Sequence, residues 1–68
     1  MKHLKVIDYT GGNGGQVNIN EQVPDETAWS WAANASDVIV DKDGVKTGCE
    51  IYIDGKRVTR EHQEKYRP

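Results

Sequence analysis

The sequence is poor in the residues that build large cores and cross-linked scaffolds. It has 68 residues, one cysteine and no phenylalanine. Because Cys49 is alone, no intrachain disulfide can form, which excludes a disulfide-stapled secreted scaffold. No stretch approaches the roughly 20 apolar residues of a membrane-spanning helix, and the N-terminal residues lack the apolar run of a secretion signal. These absences predict one small domain in a reducing cytoplasm, without a membrane partner.

Candidate catalytic and metal-binding groups are also few. Zinc sites need clustered cysteine and histidine, whereas His3, Cys49 and His62 are far apart in the sequence. A Cys–His nucleophilic pair remains an alternative, although Cys49 alternates with Ile51 and Ile53, which favours a buried structural thiol. We therefore expect no enzyme activity, no cofactor and no metal.

Two segments partly match known ligand-binding loops. Residues 10–15 hold four glycines, but a dinucleotide fingerprint needs a glycine where Val17 stands, and a Walker loop needs lysine where Gln16 stands. Asp41, Asp43 and Gly44 match part of a calcium loop whose first ligand position is occupied by an isoleucine. We interpret residues 10–15 as a mobile hairpin loop, or one that closes on a protein partner, and residues 41–44 as an Asp-Gly turn.

Hydrophobic periodicity predicts an α+β fold: a small antiparallel sheet of four to five strands with one short helix packed on one face. The helix is predicted over 24–35, where Pro24 suits the first position and acidic residues follow. Strands are predicted over 3–9, 16–20, 38–40 and 45–53, the last with an irregularity at Thr47–Gly48, and a final strand follows the Asp54–Gly55 turn. Residues 38–58 are predicted to form a three-stranded meander. The domain is predicted to span 1–59, followed by a polar tail over 60–68 that forms a short helical turn or frays.

Strand 3–9 carries apolar residues on both faces. Leu4 and Val6 share one face, and Ile7 and Tyr9 share the other. This predicts a central strand or a bulge near Val6–Ile7.

The two tryptophans of the helix cannot share a face, because residues two apart lie about 200° apart. Trp31, in line with Ala28 and Ala35, is the predicted core residue. Trp29 is then either an exposed interface anchor or is covered by loop 10–15 or by the tail.

Charge is divided along the chain. Residues 1–55 hold four cationic and nine acidic side chains, net −5, whereas residues 56–68 hold five and two, net +3. This pattern is typical of a soluble surface or of one matched to a charged partner. If the acidic body engages a basic surface, reversing Asp25, Glu26 and Asp41 slows association more than reversing Lys56, Arg57 and Arg60. Direct nucleic-acid binding predicts the opposite ranking.

In size, single short helix, meander and acidic surface, the chain resembles small phage-encoded inhibitors of host defence of the anti-CRISPR type. That resemblance implies a cytoplasmic, non-catalytic protein that occupies a surface of a larger host protein or nucleoprotein complex. The alternatives are a nucleic-acid-binding accessory protein that uses the basic C-terminal segment, or a structural subunit of a phage or other assembly. A homodimer is a further alternative. The candidate partner-binding residues are Trp29, Asp25, Glu26, Asp41, Tyr52, Lys56, Arg57 and Arg60.

Overall fold

Antiparallel strands and one helix make up the fold, as the hydrophobic periodicity predicts. The structure is a computed structural model that describes residues 1–9, 14–36 and 38–68, so most of the predicted loop 10–15 lies outside the described residues. The elements are β1 (Lys2–Asp8), β2 (Gln16–Val23), α1 (Asp25–Ala33), β3 (Ile39–Val40), β4 (Lys46–Thr47), β5 (Cys49–Ile53), β6 (Lys56–Val58) and a 3-10 helix (Gln63–Tyr66).

Strand β1 is an inner strand of a four-stranded antiparallel sheet with the order β2-β1-β5-β6. Its register with β2 shifts between Val6, which faces Ile19, and Ile7, which faces Val17. Asn18 is therefore the extra residue of a bulge in β2. The sequence predicted either an inner strand or a bulge near Val6–Ile7, and the structure has both.

The predicted three-stranded meander was wrong in its middle strand, which is not continuous over 45–53 but is divided into β4 and β5. Both predicted hairpin pairings are present, β3 with β4 and β5 with β6, but β3 and β4 form a separate two-stranded sheet while β5 also pairs with β1. The predicted irregularity at Thr47–Gly48 is the point of separation. Gly48 has φ of 110°, which side-chain-bearing residues rarely adopt, and the chain there leaves β4 and enters the main sheet.

Helix α1 covers one face of the main sheet through small side chains. The strands contribute the largest fully buried residues, Leu4, Val6 and Ile53, and the helical segment contributes Ala28, Ala32 and Ala35. Three- and four-residue spacing places these alanines on one stripe. A methyl side chain lets the helix approach the sheet closely, so the thin core is closed by alanine rather than by large residues.

Both tryptophans lie beside this alanine stripe, half-buried against the core. The prediction that Trp31 is a buried core residue was therefore wrong, because Ala28 and Ala32 occupy the closest approach and leave the indole at its margin. The alternative in which the tail covers Trp29 is the one observed. The 3-10 helix packs on α1, and the guanidinium of Arg67 lies 5.1 Å from the centroid of the Trp29 ring.

Candidate functional site

The face of the sheet opposite α1 carries polar and aromatic side chains. Strand alternation directs Leu4 and Val6 toward the helix and Lys5 and Ile7 away from it. The register of the inner strands places Lys5 opposite Tyr52. We call this surface the open face, and its residues are His3, Lys5, Ile7, Tyr9, Asn20, Glu50, Tyr52 and Arg57.

Glu50 lies beside both tyrosines of the open face. The Tyr52 hydroxyl donates a hydrogen bond of 2.5 Å to Glu50 Oε2, and Tyr9 is close enough to the same carboxylate for the two groups to shift each other's pKa. The bond from Tyr52 is the main cause that lowers the pKa of Glu50. The same carboxylate raises the pKa of Tyr9 and of Tyr52, because a phenolate beside it would be disfavoured. Glu50 thus stays ionised, and its hydrogen bond holds the Tyr52 ring.

Cations surround this tyrosine pair. Lys5 and Arg57 face Tyr52 from the strands on either side of it. Lys46, from β4, places its Nζ 5.3 Å from the centroid of the Tyr9 ring, a distance suited to a cation–π contact. Among the open-face residues named above, Glu50 is the one carboxylate, so together with Lys5, Arg57 and the adjacent Lys46 this group of described side chains has a net positive charge, although the chain has a net charge of −2.

A shallow cleft of about 490 Å³ lies on the open face and is lined by His3, Lys5, Ile7, Asn20, Tyr52 and Gly55. One wall is fixed by the 2.6 Å hydrogen bond between His3 Nε2 and Asn20 Oδ1. The cleft combines apolar and cationic side chains with an aromatic ring. It therefore suits a planar or apolar group of a partner that carries a negative charge next to it.

The β3–β4 hairpin extends this surface with exposed apolar residues. Ile39 is 67% exposed, Val40 56% and Val45 38%. Its turn is held by Asp41, whose Oδ1 accepts the backbone N–H groups of Asp43 at 2.8 Å and of Val45 at 2.9 Å. The predicted Asp-Gly turn is therefore confirmed. The register places Val40 on the same hairpin face as Lys46 and Ile39 on the other face. Exposed apolar residues on a small protein indicate an interaction surface, and Lys46 connects the Val40 face to Tyr9 on the open face.

Of the residues that the sequence analysis singled out, the structure brings Tyr52 and Arg57 together. Lys56, opposite Ile53, belongs to the other face of β6, and Arg60 is exposed in the turn after β6. Trp29 lies on the helix side, beneath Arg67.

The acidic candidates have local positions. Asp25 lies 3.3 Å from the N-terminal amine, Glu26 follows it in the first turn of α1, and Asp41 holds the hairpin turn.

Sequence reasoning did not select Lys5, Tyr9, Lys46 or Glu50 as site residues. The signal for Tyr9 and Lys5 was present, because alternation in segment 3–9 already separates Tyr9 from Leu4 and Val6. The positions of Lys46 and Glu50 depend on the break at Gly48, which redirects the chain between them.

The thiol of Cys49 has the character of a structural group. It is half-buried, and burial raises its pKa, with a further rise from the neighbouring Asp8. A raised pKa disfavours the nucleophilic thiolate. Among the described residues, no group of three or more His, Cys, Asp or Glu side chains is placed to hold a metal ion.

No helix in the described part of the chain is long and apolar enough to cross a membrane. Comparison with known proteins found no matching family model, no matching curated protein and no matching solved structure.

Proposed function

We propose that this chain is a non-catalytic binding protein that occupies a surface of a larger protein or nucleoprotein complex and thereby inhibits or modulates it. The observation that carries the proposal is the continuity of the exposed apolar hairpin with the cationic, tyrosine-bearing open face. Tyrosine, arginine and apolar side chains at the centre of a patch are typical of protein interfaces. An anti-CRISPR-like role, suggested by the small size and the arrangement of secondary-structure elements, is one form of such inhibition.

The chemistry of this surface favours a partner with an apolar pocket beside carboxylates. Val40, on the same hairpin face as Lys46, and Val45 supply exposed apolar area, and Lys5, Lys46 and Arg57 supply positive charge, which would steer association toward an acidic surface. The acidic residues Asp25 and Asp41 already have local partners. The proposal therefore reverses the sequence-based expectation that the acidic body makes the main contact.

The non-catalytic part of the proposal is supported by the surroundings of the most reactive side chain. Burial and the neighbouring Asp8 raise the pKa of the Cys49 thiol, which disfavours the nucleophilic thiolate. The two histidines have other neighbours: His3 bonds to Asn20, and His62 lies 3.1 Å from the Thr59 hydroxyl. These arrangements favour structural roles for all three.

Single-stranded nucleic acid is the second candidate ligand. It is favoured by the position of Tyr52 between Lys5 and Arg57, because an aromatic ring beside cations can stack a base and pair with phosphates. The exposed apolar hairpin has no role in that candidate, which is why protein binding ranks first.

Affinity capture of the tagged protein from the cells in which it naturally occurs, with and without nuclease, tests the proposal. We expect a protein partner that survives nuclease and is lost with the double variant Ile39→Ser/Val40→Ser. The control Glu61→Gln, an exposed change away from the hairpin, should retain the partner. Capture that depends on nucleic acid and is indifferent to the hairpin variant would favour the second candidate, and equal capture by all variants would contradict the proposed surface.

A further inference from the structure

The two outer strands of the main sheet differ in how well their edges are protected. β6 has three residues, two of which are the exposed cations Lys56 and Arg57. β2 has eight residues, no proline, and Glu21 as its only ionisable side chain. Short length and positive charge discourage strand pairing at an edge, and β2 has neither. Within β2 itself, the bulge at Asn18, in its first half, is a protective feature.

The direction of the backbone groups along β2 follows from the hydrogen bonds of His3. The His3 N–H donates to Asp54 Oδ1 at 2.9 Å, and its C=O accepts the Asp54 N–H at 2.9 Å, so both groups point toward the β5 side. Because backbone groups alternate in direction along a strand, the N–H and C=O of Lys5 also point toward β5. Gln22 and Asn20, which face His3 and Lys5, therefore direct their own N–H and C=O groups outward from the sheet.

We propose that β2 pairs antiparallel with β2 of a second copy of this chain, about a two-fold axis that passes between the two Asn20 residues. Each Asn20 then exchanges both of its outward hydrogen bonds with Asn20 of the second copy. The two four-stranded sheets become one continuous sheet.

The choice of a second copy and of this register rests on charge and symmetry. A two-fold axis needs the same surface on both partners, and Asn20 lies in a stretch of β2, from Gln16 to Asn20, without ionisable side chains. With the axis at Asn20, Glu21 falls opposite Ile19 of the second copy. An axis at Glu21 would instead place two carboxylates directly opposite each other, which is destabilising.

The pairing also has a consequence for the open face. Asn20 belongs to the open face, and Val17, which faces Ile7 and is 51% exposed, lies on the same side. Both would border the seam, so the open faces of the two copies lie side by side. Each dimer then presents the binding surface twice, which raises avidity for a repeated or symmetric partner.

Sedimentation of the full chain over micromolar to millimolar concentrations tests the proposal. Asn20→Pro removes the outward N–H, and proline is tolerated on an edge strand where that group faces solvent. Asn20→Ala removes the same side chain but keeps the N–H, so it is the matched control. We expect the wild type and Asn20→Ala to dimerise with rising concentration, and Asn20→Pro to show a dimer dissociation constant at least about tenfold higher, a loss of about 1.4 kcal/mol.

Circular dichroism establishes whether Asn20→Pro is folded, and Gln22→Pro, which removes the other outward N–H, replaces it if it is not. A wild type that stays monomeric over the whole range would overturn the proposal, as would folded proline variants that dimerise like the wild type. Loss of the dimer in Ile39→Ser/Val40→Ser alone would overturn it as well, because association would then depend on the hairpin.

Discussion

The two faces of the main sheet come from the same strands but have opposite chemistry. On β1, Leu4 and Val6 are 0% and 1% exposed beneath helix α1, whereas Lys5 and Ile7 are half-buried on the open face. One face is closed by methyl groups of alanine, and the other is organised around Glu50 and its hydrogen bond from Tyr52. A seven-residue strand thus contributes alternately to the core and to the proposed binding surface, so stability and binding should respond to different residues of the same strand.

Substitution of adjacent residues on β1 should give the largest difference between the faces. Leu4→Ala should lower the free energy of unfolding by about 2–5 kcal/mol, because it leaves a cavity under the helix. Lys5→Ala should change it by no more than about 0.5 kcal/mol, as for other surface positions. Chemical denaturation measures both, and similar losses would mean that the open face is as tightly packed as the covered one.

Enlarging the alanine stripe should disturb the covered face next. Ala28 is fully buried between helix and sheet, so Ala28→Leu should overpack the interface and cost about 1–3 kcal/mol. Ala33 is exposed on the same helix, and Ala33→Leu is the matched control, with an expected change within about 0.5 kcal/mol. A stabilised Ala28→Leu variant would show unfilled space beneath the helix.

The Glu50 network makes the open face sensitive to pH. Because its pKa is lowered in the folded state, Glu50 contributes stability that is present above its unfolded pKa of about 4.3 and is lost as the pH falls through the folded value. Wild type should therefore be more stable than Glu50→Gln at neutral pH, with the difference disappearing on acidification. Denaturation at a series of pH values checks this, and a difference that persists in acid would assign the effect to shape rather than to charge.

The same network should appear in the alkaline titration of tyrosine. Glu50 raises the pKa of Tyr9 and Tyr52, so the tyrosinate absorbance of the wild type should develop at higher pH than that of Glu50→Gln. Identical titration curves would show that Glu50 does not affect the pKa of either phenol.

The contact between the tail and the helix should give the smallest effect. Arg67 lies over the Trp29 ring and also pairs with Glu64 at 3.0 Å. Arg67→Gln removes both exposed interactions, each of which is worth about 1 kcal/mol or less, and should expose the indole. A red shift of tryptophan emission with little change in the melting temperature is expected, and unchanged emission would place the tail away from Trp29.

Local signals in the sequence predicted the elements but not how the distant ones pair. Alternation in segment 3–9, Pro24 with its acidic neighbours, and the Asp-Gly turns gave β1, α1 and the hairpin turns. The pairing of β5 with β1 joins residues about 45 positions apart in the sequence. It depends on the conformation of Gly48, where the sequence predicted an irregularity but not the separation of the strand into two sheets.

The candidate site was less predictable than the fold. Trp31 and Ala32 are both apolar, so helix phase alone did not show which one approaches the sheet. Val38–Val40 reads as a strand, but exposure of Ile39 and Val40 depends on their pairing with β4 instead of the main sheet. Tyr52 was selected as an anchor, whereas its partner Glu50 was not, because the hydrogen bond between them requires both to lie on one face of β5.

Lysine acylation of the partner-bound protein tests most directly the claim that the open face and the hairpin form the binding surface. The complex isolated after nuclease treatment and the free protein would be labelled in parallel, and each site quantified by mass spectrometry. Lys5, beside Tyr52, and Lys46, beside Tyr9, should be protected in the complex, whereas Lys65 on the 3-10 helix should react equally in both. Protection of Lys65, with Lys5 and Lys46 labelled as in the free protein, would contradict the account and place the partner on the helix side.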